Sequence, residues 1–117
     1  MRLLDPQPGR GNSRERCERL VGRESARHGD APALLSNREA FSYRGLFERS
    51  NRYSRWALRE GVRKDDTICL LMPNRPEYAA IWLGVTRTGG VMALLNTNLV
   101  GASLIHCIDV VGAKHII

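Results

Sequence analysis

The stretch "LLMPNRPEYAAIWLG" (residues 70–84) joins two apolar segments of different period. The first segment, residues 67–72, is a short apolar run of the kind that forms a strand buried on both faces of a parallel sheet. The second begins at Pro76 and spaces its apolar residues as a helix does. The stretch therefore predicts a strand that feeds a helix through a short loop, at the edge where parallel α/β sheets bind ligands.

The loop of this joint has none of the glycines that usually bind a phosphate. A dinucleotide-binding turn carries G-x-G-x-x-G after the strand, whereas this chain has "MPNRPE" there and no G-x-x-x-x-G-K-[ST] anywhere. Pro73 also removes an N–H that a phosphate would need. We interpret the loop as a rigid helix start, with Asn74 and Glu77 as a capping box and Pro76 in the first turn.

The rest of the second half repeats the same unit. Residues 91–95 form a second apolar run, residues 102–111 a helical pattern, and a third strand begins at residue 114. The helix is predicted to bury Leu104, Ile105, Ile108 and Val111. The fold class is therefore α/β, with a doubly wound parallel sheet of βαβαβ order over residues 67–117 and right-handed crossovers.

The first half predicts a helix, a small hairpin and a second helix. Residues 1–12 are expected to be a flexible N-terminus, residues 13–28 a polar helix, and residues 33–36 and 41–43 the hairpin strands. Ser42 is the predicted N-cap of a helix that ends near Glu60. The residues predicted to face inward are Leu46, Phe47, Ser50, Tyr53, Ser54, Ala57 and Leu58. Those predicted to face outward are Arg49, Arg52, Arg55 and Arg59.

Composition excludes several classes of protein. The net charge is +6, but residues 67–117 hold only 3 basic and 2 acidic residues, so the second half is the buried half. No basic run with interleaved aromatics supports a nucleic-acid partner. Three scattered cysteines favour neither a disulfide framework nor a metal site. No run reaches the roughly 18 apolar residues of a transmembrane segment, so we expect a cytoplasmic protein, with room for peripheral membrane association.

Three polar residues, Asn96, Thr97 and Asn98, follow the second predicted strand at the ligand-binding edge of the sheet. They have two interpretations. One is a surface loop that also supplies the N-cap of the next helix, and the other is one wall of a substrate channel. No catalytic triad, acid pair or activated cysteine can be assembled from the other residues.

The ordered set "FSYRGLFERSNRYSRWALREGVRKDDTICLLMPNRPEYAAIWLGVTRTGGVMALLNTNL" resembles the N-terminal portion of the adenylate-forming, AMP-binding enzymes. The continuation "LLNTNLVGASLIHCIDVVGAKHII" is similar to the long-chain and very-long-chain fatty acyl-CoA synthetases, in the fatty-acid-transport-protein-like branch. The resemblance implies that residues 13–117 are part of the AMP-binding domain. Because the chain stops inside a predicted strand, we expect a truncated piece.

The resemblance implies a two-step reaction with ATP, Mg²⁺, coenzyme A and a long-chain fatty acid as cofactors and substrates. The fatty acid carboxylate attacks the α-phosphate of ATP, and the thiol of coenzyme A then displaces AMP. The family's Pro-Lys phosphate loop, ribose-binding acid and adenylation lysine match no position here, so no catalytic residue is assigned, and these 117 residues are expected to be inactive alone and to bind none of the cofactors tightly. The resemblance places Asn96 to Asn98 near the acyl and coenzyme A side.

Two other interpretations of the function stay open. The chain could be a non-catalytic remnant that acts as an interaction piece. It could also be a small Rossmann-like nucleotide binder, although the missing glycines count against that function.

Overall fold

The computed structural model describes residues 13–117, so the predicted flexible segment 1–12 lies outside the described residues. The helices and strands follow one another as α1 (Ser13–His28), β1 (Pro32–Leu35), β2 (Ala40–Ser42), α2 (Tyr43–Arg59), β3 (Thr67–Leu70), α3 (Pro76–Thr86), β4 (Val91–Leu94), α4 (Gly101–Val111) and β5 (His115–Ile116).

The second half contains a three-stranded parallel sheet in the order β4-β3-β5. In its register, Ile68 of the central strand lies beside Met92 on one side and His115 on the other. Strands β1 and β2 pair separately as an antiparallel hairpin. The predicted α/β class and the βαβαβ order are therefore confirmed.

Helix α2 begins where its sequence indicates. The side chain of Ser42 accepts a hydrogen bond of 3.0 Å from the backbone N–H of Gly45, which confirms the predicted N-cap. Ser50 and Ala57 are fully buried on the inward face. The prediction for Leu58 is wrong, since this side chain is 61% exposed. It lies one position after Ala57, about 100° farther around the helix, and so points away from the core.

The core lies between α2, α3 and one face of the sheet. Its buried members are Ala57, Val62, Ile68, Leu70, Ile81 and Val85. Helices α2 and α3 approach so closely at Gly84 that a Cβ atom there would lie 2.5 Å from the backbone oxygen of Ser50. Only glycine fits this contact, and it locks the two helices against each other.

Helix α4 is covered much less than predicted. None of its residues is buried, and Ile105 and Val111 are 60% and 36% exposed. The prediction that α4 buries its four large aliphatic residues is therefore wrong. The half-buried positions, Leu104, Cys107 and Ile108, follow helical spacing and form a narrow stripe. This stripe is the only part of α4 that the described residues shield from solvent.

Candidate functional site

Two loops leave the carboxyl ends of the parallel strands β3 and β4, so they lie at the same edge of the sheet. The loop after β4 contains a tight turn built on Asn96. The backbone N–H of Asn98 donates to the Asn96 side-chain oxygen at 2.9 Å, and the N–H of Leu99 donates to the Asn96 carbonyl at 3.1 Å. This turn fixes the backbone on which Thr97 and Asn98 sit.

The interpretation as a surface loop that also caps the next helix has two parts, and the structure supports only the first. Asn96, Thr97 and Asn98 are all exposed and lie in a surface loop, as that interpretation predicts. The helix cap is wrong: the N-cap of α4 is Val100, which provides no side-chain hydrogen bond. The side chains of Thr97 and Asn98 make no hydrogen bond to any residue of the described part of the chain. They are therefore free to contact a ligand.

The joint after β3 is built differently from the predicted capping box. Arg75 is the N-cap of α3, in an extended conformation and without a side-chain cap bond. Pro76 occupies the first turn, as predicted. The prediction for Asn74 and Glu77 is wrong, because the Glu77 side chain turns inward and is only 9% exposed.

Glu77 is the centre of a buried polar network between α2 and α3. Its Oε1 atom accepts a hydrogen bond from Arg49 Nε at 2.8 Å and another from the Tyr53 hydroxyl. Its backbone N–H lies 3.4 Å from Glu39 Oε2, and Glu39 forms an ion pair with Arg75 at 3.3 Å. The network thus connects the hairpin, α2 and the start of α3. Arg49 was predicted to face outward; its side chain is 41% exposed but reaches across to Glu77 of α3, so the prediction is only partly right.

The environment fixes the protonation of this network. Burial alone would raise the pKa of Glu77, but the hydrogen bonds from Tyr53 and Arg49 and the charges of Arg49 and Arg75 lower it below its ordinary value. Burial, reinforced by Glu77, raises the pKa of Tyr53 to about 12. Near neutral pH the carboxyl is therefore ionised and the phenol protonated, so the network is a structural ion pair and holds no proton ready for transfer.

Cys69, on the central strand β3, is not a reactive thiol. Cys69 is fully buried, and burial raises the pKa of its thiol. A protonated, inaccessible thiol is a poor nucleophile. Among the side chains that the structure describes, no three His, Cys, Asp or Glu are placed to bind a metal ion together. No helix in this part of the chain is long and apolar enough to cross a membrane.

Comparison with known proteins gives the family. The family model for AMP-binding enzymes matches residues 21–117. Long-chain fatty acid transport protein 2 of Rattus norvegicus is 41% identical over 85 residues, which are 71% of this chain and 14% of the relative. Long-chain fatty acid transport protein 6 of Homo sapiens is 32% identical over 87 residues, 74% of this chain and 14% of the relative. The chain belongs to the AMP-binding enzyme family, and it spans about one seventh of the length of these relatives.

Solved structures agree on the fold. The N-terminal domain of FACL13 from Mycobacterium tuberculosis has a TM-score of 0.80 at 22% identity, covering 86% of this chain and 26% of that one. The NpsA N-terminal subdomain of Klebsiella oxytoca, in complex with anthranilyl-AMSN, has a TM-score of 0.78 at 21% identity, covering 84% and 26%. The resemblance to the N-terminal portion of adenylate-forming enzymes, with relatives in the fatty-acid-transport-protein branch, is thereby confirmed.

Proposed function

We propose that this chain is the N-terminal part of an ATP-dependent fatty acid–CoA ligase. The supporting observation is the family match over residues 21–117 together with the 41% identity to a long-chain fatty acid transport protein. A long-chain-fatty-acid–CoA ligase of Escherichia coli is also 30% identical over 93 residues, 79% of this chain and 17% of that protein. The reaction would convert a fatty acid to its acyl-adenylate and then to acyl-CoA.

In that reaction, this segment would help to position the substrate. The side chains that the structure describes include no group of three His, Cys, Asp or Glu placed to bind a metal ion, and the loop after β3 has no glycines for a phosphate, so other parts of such an enzyme would hold ATP and Mg²⁺. The Asn96 turn is the part we propose to contact substrate. Its exposed Thr97 and Asn98 side chains, at the carboxyl edge of the sheet, would line the acyl and coenzyme A side.

A chimera tests the activity. The matching 85-residue segment of Rattus norvegicus long-chain fatty acid transport protein 2 is replaced by the corresponding part of this chain, and acyl-CoA formation is measured with ATP, coenzyme A and oleate. We expect the chimera to form oleoyl-CoA and the 117-residue chain alone to form none. A folded chimera without activity, compared with an active parent, would contradict the proposed function.

Substitutions in the same chimera test the site. Thr97→Ala and Asn98→Ala should each raise the KM for coenzyme A or oleate several-fold, about the effect of losing one hydrogen bond, and leave the melting temperature unchanged. Asn37→Ala removes an equally exposed side chain in the β1–β2 turn and should change neither KM. Unchanged KM values in both loop variants would remove the Asn96 turn from the substrate site without affecting the ligase assignment.

A further inference from the structure

The sheet has a second face, separate from the core, and a buried thiol lies on it. Side chains alternate along β3, so Ile68 and Leu70 point to the core with α2 and α3, and Cys69 points to the opposite face. The neighbours of Cys69 in register, Ala93 of β4 and Ile116 of β5, share that face. What covers Cys69 must therefore come from the side of the sheet that the core does not occupy.

Helix α4 lies over this second face. In the strand order β4-β3-β5, the connection from β3 to β4 and the connection from β4 to β5 run in opposite directions across the sheet. Two right-handed connections of this kind place their helices, α3 and α4, on opposite faces. Because α3 packs with Ile68 through Ile81 and Val85, α4 lies on the side of Cys69. The complete burial of Cys69 agrees with this arrangement.

A second thiol, Cys107, lies in the stripe that α4 turns toward the sheet. It is half-buried between Leu104 and Ile108. Burial raises the pKa of the Cys69 thiol, and the charge of a Cys107 thiolate adds to that rise. This electrostatic effect places the two sulfurs near each other, since it weakens with distance. Both thiols are free in the structure, so the pair is in its reduced form.

The packing around the pair permits the two thiols to meet. A disulfide needs Cα atoms within about 7 Å of each other, and α4 has no fully buried residue that would resist a shift toward the sheet. Ala93, beside Cys69 in register, carries only a methyl group and does not hold α4 away from β3. The half-buried Cys107 is the thiol that a small oxidant reaches first.

We propose that Cys69 and Cys107 are a peroxide-sensitive thiol pair whose disulfide fixes α4 to the central strand. Hydrogen peroxide oxidises the Cys107 thiolate to a sulfenic acid, as the O–O bond breaks and hydroxide leaves. The Cys69 thiolate then attacks the Cys107 sulfur, and the sulfenic oxygen leaves as hydroxide. The protons of the two thiols convert both hydroxides to water, so the pair loses two electrons and one peroxide becomes two waters.

The buried position of Cys69 suits the second step. A thiol that reagents in solution cannot reach still attacks a sulfur held beside it, because the fixed geometry replaces a collision from solution. The disulfide would join residues of β3 and α4, and α4 follows the Asn96 turn directly in the chain. Oxidation therefore restrains the element on which that turn ends. This inference does not rest on the proposed ligase activity.

The test uses the 117-residue chain with Cys17→Ser, which leaves Cys69 and Cys107 as its cysteines. Folded protein is treated with hydrogen peroxide, with or without dimedone, which captures sulfenic acids. We expect a monomer lighter by two hydrogen atoms, in which a non-reducing digest links the peptides of Cys69 and Cys107. Dimedone should label Cys107 and prevent the bond. Amide hydrogen exchange in α4 should slow about tenfold after oxidation, and the wild-type chain should give the same linked peptides.

A displaced thiol on the same helix shows whether the position of Cys107 is responsible. Cys107→Ser combined with Asp109→Cys moves the thiol about 200° around α4, to an exposed position. This variant should be labelled by dimedone after peroxide but form no bond to Cys69. Cys69→Ala should leave a sulfenic acid at Cys107 and no disulfide. A folded chain in which Cys69 stays free, a bond formed as readily from position 109, or a disulfide only between two chains would each overturn the proposal.

Discussion

Replacing Glu77 by Gln tests whether the buried ion pair between α2 and α3 stabilises the fold. The substitution keeps the shape of the side chain and one acceptor oxygen, but it removes the negative charge next to Arg49 and the Tyr53 hydroxyl. It also introduces an NH₂ group among hydrogen-bond donors. Since the Glu77 side chain is only 9% exposed, water cannot easily replace what is lost, and we expect the free energy of unfolding to fall.

The size of the loss follows from the two bonds at Glu77 Oε1. A hydrogen bond to a charged group contributes about 1.5–3 kcal/mol and a neutral one about 0.5–1.5 kcal/mol, so the Tyr53 bond loses about 1 kcal/mol. The Arg49 bond keeps its charged donor but loses the attraction between opposite charges, which contributes up to about 1 kcal/mol. The Arg49 side chain is 41% exposed, and its share is reduced because water solvates the guanidinium group. We expect a loss of about 1–2 kcal/mol, which lowers the melting temperature by about 5–10 °C for a domain of roughly 100 residues.

The pH dependence gives a second, independent readout. The pKa of Glu77 in the folded state lies below its ordinary value of 4.5. Its contribution is therefore complete above about that pH in the wild type and is lost as the pH falls through the folded-state pKa. The stability difference between wild type and Glu77→Gln should be full at about pH 7 and shrink toward about pH 3. Asp66, whose pKa is also lowered, chiefly by the hydrogen bond from the Arg63 N–H, affects both proteins equally.

Urea unfolding followed by far-ultraviolet circular dichroism measures these differences. Glu48→Gln is the matched control, since Glu48 is an exposed carboxylate on α2 and its replacement should change the free energy of unfolding by less than about 0.5 kcal/mol. If Glu77→Gln unfolds at the same urea concentration as the wild type, the network does not stabilise the fold. If the difference is the same at both pH values, the ionised carboxylate is not its cause.

Three further experiments test the packing and the cap of α2. Gly84→Ala should destabilise the fold by about 1–3 kcal/mol through the clash with Ser50, whereas Gly22→Ala, with no atom within 4 Å of the new Cβ, should stabilise α1 by about 0.5–1 kcal/mol; thermal unfolding measures both, and an equal effect of the two would contradict the close helix contact. Ser42→Ala should cost about 1 kcal/mol by removing the N-cap of α2, and an unchanged urea midpoint would show that the cap is not needed. In a variant with serine at the other two cysteines, Cys69 should react with a thiol reagent only as fast as the chain unfolds, and rapid reaction without urea would contradict its burial.

Local patterns predicted most of this fold, because the features they concern depend on neighbouring residues only. The apolar run at residues 67–72 and the helical spacing after Pro76 correctly predicted β3 and α3, and Ser42 correctly predicted the start of α2. The place of Asn96, after a parallel strand, also followed from the order of elements.

The features that sequence reasoning missed depend on contacts between distant residues. The spacing of Asn74 and Glu77 fits a capping box, yet Glu77 bonds to Arg49, which is 28 positions away in the chain. The two hydrogen bonds that Glu77 accepts from α2 stabilise the fold more than a capping box at the start of α3 would. The one available signal was an acidic residue at the start of an otherwise apolar helix. For α4, periodicity marked an apolar stripe but carried no information on how much of it is covered.

The joint at residues 70–84 combines three constraints within fifteen residues of sequence. Pro76 sets the start of α3, and Glu77 bonds that start to α2. Gly84, near the other end of α3, brings the backbones of the two helices into contact. The sheet edge from which the Asn96 turn projects is therefore attached to a rigid α2–α3 layer, whereas Thr97 and Asn98 themselves contribute no described contact to it. Stability and ligand contact should consequently separate by position: changes at Glu77 or Gly84 alter the unfolding free energy first, and changes at Thr97 or Asn98 alter binding with the unfolding midpoint unchanged.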